Sequence, residues 1–126
     1  MPKISKTTAS NVETAPGYEG RFEDLGGYTV GYETYTEDAD MAPLFAGLPD
    51  DRCQCPHWGI VLKGQLTYHY QGHSETITAG EAYFAPAGHT PELHAGTEVV
   101  EFSPTAELER TLEVVVRNAE ALESQS

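Results

Sequence analysis

Between Tyr28 and Ser103 the sequence is cut into short runs by glycine-bearing turns, and inside the runs apolar and aromatic side chains recur at every second position. Tyr28, Val30, Tyr32 and Thr34 alternate with smaller or polar residues after the Gly26-Gly27 turn. Strand-like runs follow at residues 53–62, 65–70 and 75–78, separated by Lys63-Gly64 and by "QGHS". "AGEAYFAPAGH" and "TEVVEFS" complete the series around a turn at Ala95-Gly96. A period of two puts alternate side chains on opposite faces of a pleated strand, and connections this short join antiparallel neighbours. Residues 37–51 read as a loop or short helical turn. Beyond Ser103 the period changes: Leu108, Leu112, Val115, Ala119 and Leu122 recur at helical steps, and Ser103-Pro104 suits an N-cap followed by proline at the first helical position. Many short strands and one terminal helix predict an all-β fold, a closed or nearly closed barrel or sandwich with an amphipathic C-terminal helix docked on it or on a partner.

At 126 residues the chain has the length of one domain, with no internal repeat. Residues 1–20, rich in Ser, Thr, Lys, Pro and Gly, read as a mobile arm or exchanged edge segment. The barrel is expected over 21–103 and the helix over 104–126. Twenty acidic residues against seven basic give a formal charge of −13, which repels phosphate backbones and anionic lipid. Nucleic acid and membrane are therefore not expected as partners. No apolar run has the length of a membrane span and the N-terminus lacks the apolar core of a secretion signal, so a cytoplasmic location is expected. Exposed barrel edges and the N-terminal arm predict a homodimer.

The chemistry is concentrated in "RCQCPHWGIVLKGQ". Cys53 and Cys55 are too close in sequence for a useful disulfide, because the ring would be small and strained. In an extended strand Cys53, Cys55 and His57 project to one face, and two thiolates with an imidazole form a donor set for zinc or iron. A fourth donor has to come from elsewhere; His89 is favoured over His94, since five residues separate the two and they face opposite ways in one strand. The competing reading makes the cysteines small buried hydrophobes and His57 a satisfied core histidine. His69 and His73 read as surface residues. Glu101 is the one acidic residue inside an apolar strand; alternation favours an outward-facing charge, whereas burial would raise its pKa toward acid-base use.

The order of these features resembles the cupins, small β-barrel proteins. "CQCPHWGIVLKGQL", a hairpin and "GEAYFAPAGHTPE" are similar to the two cupin motifs over about residues 51–103, with Gly64, Gly80, Pro86 and Gly88 at the family's spacing. The resemblance implies a double-stranded β-helix, or jelly-roll, barrel like that of small single-domain bacterial RmlC-like cupins. It also implies metal-ligand places at Asp51, Cys53, His57 and Pro91, none of which carries the family's usual residue. The expected centre is therefore Cys53, Cys55, His57 and His89, with Asp51 in reserve. A metal there suits an isomerase, lyase or dioxygenase reaction on a small organic acid or carbonyl compound. The rival reading is a non-enzymatic barrel that stores or senses a small molecule with structural or no metal, and a third is a thiol sensor built on Cys53 and Cys55.

Overall fold

The computed structural model describes residues 1–124. Ten strands precede one helix: β1 (Asn11–Ala15), β2 (Tyr18–Leu25), β3 (Tyr28–Tyr35), β4 (Ala39–Asp40), β5 (His57–Lys63), β6 (Gln65–Tyr70), β7 (His73–Thr78), β8 (Ala82–Ala85), β9 (Thr90–Leu93), β10 (Thr97–Pro104) and α1 (Thr105–Ser124). They form two antiparallel sheets, of order β1-β2-β3-β10-β5-β8 and β4-β9-β6-β7. The expected barrel with a C-terminal helix is the observed architecture.

The β ladder begins before residue 21. Residues 11–15 pair in register with β2, from Asn11 against Phe22 to Ala15 against Tyr18, so a quarter of the expected arm is an edge strand of its own chain. Every side chain of β1 is exposed, which explains why its composition resembles a linker. At the other end β10 runs through Pro104 and α1 starts at Thr105, so Ser103 is a buried strand residue and not a helix cap.

The sheets face each other across a core of Tyr35, Val61, Leu66, Tyr68, Ala85, Leu93 and Val99, each contributing about 1.5–3 kcal/mol for the larger side chains removed from water. Gly64 carries the chain from one sheet to the other with φ at +73°, and a Cβ there would lie 2.5 Å from Thr97 Oγ1. A second apolar cluster of Phe45, Cys53 and Cys55 plugs one end, packed against Leu44, Leu48, Leu108 and Val115. The helix is held over this plug by Asn118, whose Nδ2 donates to the carbonyls of Leu44 and Ala46 at 2.8 Å each. No helix among the described residues is long and apolar enough to cross a membrane.

Candidate metal centre

Pro56 cannot donate to a ladder, and the strand expected from residue 53 therefore begins only at His57. Upstream of it Cys53 makes an isolated bridge to His89: its N–H donates to the His89 carbonyl at 2.8 Å and its own carbonyl accepts from Gly88 N–H at 2.8 Å. That bridge brings the two sequence motifs together. One donor atom each of Cys53, His57 and His89 lies within 4.8 Å of the others, and all three residues are buried.

Both imidazoles are oriented from behind. His57 Nδ1 lies 2.7 Å from Ser103 Oγ and 3.4 Å from Glu101 Oε1, while its Nε2 lies 3.7 Å from Cys53 Sγ. His89 Nδ1 donates to the Pro86 carbonyl at 2.8 Å, which leaves Nε2 as the nitrogen with a lone pair. Fixing the Nδ1 proton in this way is how ligating histidines are held in the correct tautomer. Burial lowers the pKa of His57 to about 4; burial and then neighbouring His57 lower that of His89 to about 4. Both rings are thus neutral and able to coordinate at neutral pH. Burial first of all raises the Cys53 thiol to about 11, so metal binding must displace its proton. One soft sulfur and two borderline nitrogens fit zinc or iron.

The remaining candidates lie elsewhere. Cys55, expected as a fourth donor, is not brought to this group: its Sγ lies 3.4 Å from the Pro56 carbonyl within the apolar plug, because the chain around Pro56 is not a regular strand. Asp51 is exposed, and its Oδ1 accepts from Gly47 N–H. His94 Nε2 is 3.0 Å from Thr67 Oγ1, and His69 lies between Ser74 and Glu92 on the surface, as expected. His73 is exposed and stacks on Tyr70.

Glu101 faces inward, against the alternation reading. It is in register with Gly31 of β3 on one side and Gly59 of β5 on the other. These two glycines leave space for rings: a Cβ on Gly59 would sit 2.6 Å from the Tyr83 hydroxyl, and one on Gly31 would strike Phe22. Tyr68 donates to Glu101 Oε2 at 2.5 Å and Tyr83 donates to the same oxygen. Burial raises the Glu101 pKa, partly offset by these two hydrogen bonds. Deeper in the barrel Glu33 accepts from Tyr18 at 3.0 Å and Tyr35 at 3.3 Å, and burial followed by the charge of Glu101 raises its pKa to about 8. Glu101 stood out in the sequence, but its tyrosine partners and the contact of Ser103 with His57 did not; the mid-strand glycines were the available signal.

The barrel is open between β7 and β8, one edge strand from each sheet, which do not pair with each other. A cavity of about 330 Å³ lies there, lined by Tyr68, Tyr70, His73, Glu75, Ile77 and Tyr83 among others. Its floor adjoins the triad: the Tyr68 ring is 4.7 Å and the Tyr70 ring 5.8 Å from that of His89, and Pro86 O accepts from both Tyr70 and His89.

A two-sheet antiparallel barrel with inward-facing histidine and cysteine donors next to an open end is a cupin-type architecture, and comparison with solved structures agrees. A protein of unknown function from Rhizobium leguminosarum bv. viciae 3841 is 22% identical and superimposes with a TM-score of 0.61 over 82% of this chain and 95% of its own. An RmlC-like cupin from Shewanella frigidimarina is 14% identical, with a TM-score of 0.55 over 80% of this chain and 88% of its own. KdgF from a Halomonas species is 13% identical, with a TM-score of 0.51 over 75% and 87%. The chain has the cupin fold. No protein-family model and no curated protein matches its sequence.

Proposed function

We propose that the protein is a mononuclear metalloprotein in which Cys53, His57 and His89 hold zinc or iron, and that it acts on a small carbonyl compound admitted between β7 and β8. The observation that carries this reading is the convergence of three buried donors with both histidine Nδ1 atoms already engaged behind them. A bound metal supplies Lewis acidity, polarising a carbonyl or activating water. Glu101 keeps its proton to higher pH than a free carboxylic acid, and Tyr68 and Tyr83 stand between it and the cavity. With both phenols donating to Glu101, the ionised carboxylate takes a phenol proton as that phenol oxygen takes one from the bound molecule, the proton abstraction an isomerase or lyase requires. Of the two ligand classes expected from sequence, the carbonyl compound is favoured over the organic acid, because among the described residues no Lys or Arg lines the cavity.

The burial of all three donors favours a second reading, a ligand-binding or sensing barrel with a structural metal. The thiol-sensor reading loses its support, since burial pushes Cys53 to about 11 and Cys55 to about 12, well away from a reactive thiolate. Elemental analysis of untagged protein tests the metal reading. About one metal per chain is expected in the parent and none in the Cys53→Ser/His57→Ala variant; an empty parent from metal-replete cells would overturn it. An exchangeable water on the metal separates the catalytic version from the structural one.

A homodimer in the reducing cytoplasm completes the proposal. The outer face of the six-stranded sheet exposes Tyr28, Trp58, Ile60, Leu62, Phe84 and Phe102. Such side chains present on the order of 500 Å² of apolar surface, as large as a monomer normally tolerates. Two copies packed face to face would bury about 1,000 Å², the threshold of a specific interface.

A further inference from the structure

The cavity between β7 and β8 has a chemical character that the metal reading does not use. Tyr68 and Tyr83 donate their hydroxyl protons to Glu101, and Tyr70 donates its own to the Pro86 carbonyl at 3.1 Å. Three phenols that line the cavity are thereby committed to internal acceptors, and what they offer a ligand is ring surface and oxygen lone pairs instead of donors. The Tyr70 ring is further fixed by stacking on His73, with centroids 5.1 Å apart and planes at 8°.

Glu75 adds a charge to this wall. It lies directly across from Tyr68 in the β6-β7 pair, hence on the same face as Tyr68. Among the described residues its carboxylate has no hydrogen-bond or ion-pair partner, and no Lys or Arg lines the cavity. Aromatic faces and an uncompensated carboxylate around about 330 Å³ attract a positive ligand through the ring quadrupoles and by direct ion pairing, while repelling a negative one.

We propose that this cavity binds a small organic cation, with an ammonium group held against the rings of Tyr68, Tyr70 and Tyr83 and neutralised by Glu75. This deepens the functional reading above by naming the ligand class of the same site, and it rests on that reading for the entrance between β7 and β8, not for the metal.

Choline chloride is the probe, with its uncharged isostere 3,3-dimethyl-1-butanol and sodium acetate as controls. Each is titrated by calorimetry into full-length zinc-loaded and metal-stripped protein at constant ionic strength. Saturable choline binding is expected, with the isostere weaker by about tenfold and acetate silent. Glu75→Gln, on an exposed edge strand, and Tyr70→Leu should each weaken choline by about tenfold. An isostere as tight as choline, an unchanged Glu75→Gln, or the lack of saturable choline binding would overturn the proposal. Elemental analysis of the same samples separates the two readings. Cation binding without metal upholds this inference and sinks the metal reading; metal without cation binding does the reverse.

Discussion

The ligand set can be counted in protons. At pH 6 the Cys53 thiol, raised by burial to about 11, is protonated, as is Cys55 at about 12. His57 and His89, lowered by burial to about 4, carry a proton on the coordinating nitrogen in only about 1% of molecules at that pH. A metal takes the thiolate, so a centre made of Cys53, His57 and His89 releases one proton per metal, whereas a centre that also recruits Cys55 releases two. The choice of pH 6 keeps water on zinc from ionising, since that occurs near 7. The two cases also differ in slope: apparent affinity rises about tenfold per pH unit for one proton and about a hundredfold for two, or roughly 1.4 against 2.8 kcal/mol. Titrating zinc chloride by calorimetry in buffers of different ionisation enthalpy reads the proton number directly. One proton is expected for the parent and for Cys55→Ala, and none for Cys53→Ser. Two protons in the parent falling to one in Cys55→Ala would restore Cys55 as a ligand and refute the three-donor geometry, and zero in the parent would refute thiolate ligation altogether.

Ser103→Ala leaves His57 Nδ1 without its 2.7 Å partner, and zinc affinity should fall by about tenfold in competition with a chromophoric chelator. Glu33 titrates at about 8 when folded against 4.5 as a free group, so between these values the native state holds a proton that the unfolded state has lost. Stability contributed by that proton is complete below pH 4.5 and disappears as pH rises through 8, at up to about 1.4 kcal/mol per pH unit. Between pH 6.5 and 8, urea unfolding of Glu33→Gln should show a shallower decline than the parent; parallel curves would remove Glu33 from the account. Trp58→Glu places a charge in the exposed apolar face; if the proposed face-to-face dimer forms, sedimentation should show a dimer for the parent and a monomer for the variant, and equal masses for the two would refute that interface.

The parts of the site that were legible in the sequence are those governed by local pattern. Cys53 and His57 stand at ligand places counted back from Gly64, and His89 directly follows Gly88 of the second motif, so all three lie beside glycine turns that are read residue by residue. Cys55 was grouped with them on the assumption of one unbroken strand, and Pro56 invalidates that assumption by interrupting the ladder. Ser103 was hidden for a related reason. A serine before a proline matches a helix start, but β10 continues one residue past it and turns its hydroxyl toward His57. Glu101 is the instructive case, because alternation alone gives each strand two faces and no means of choosing between them. The choice is made across the sheet. Gly31 and Gly59, on either side of Glu101, provide the room in which the Phe22 and Tyr83 rings lie, and Tyr68 and Tyr83 supply the hydroxyl donors that make an inward carboxyl tolerable. Each glycine looked like a minor defect in its own strand. Only the register β3-β10-β5 aligns the two with an acidic residue between them, and that alignment turns an apparent surface charge into a buried carboxyl beside the candidate metal centre.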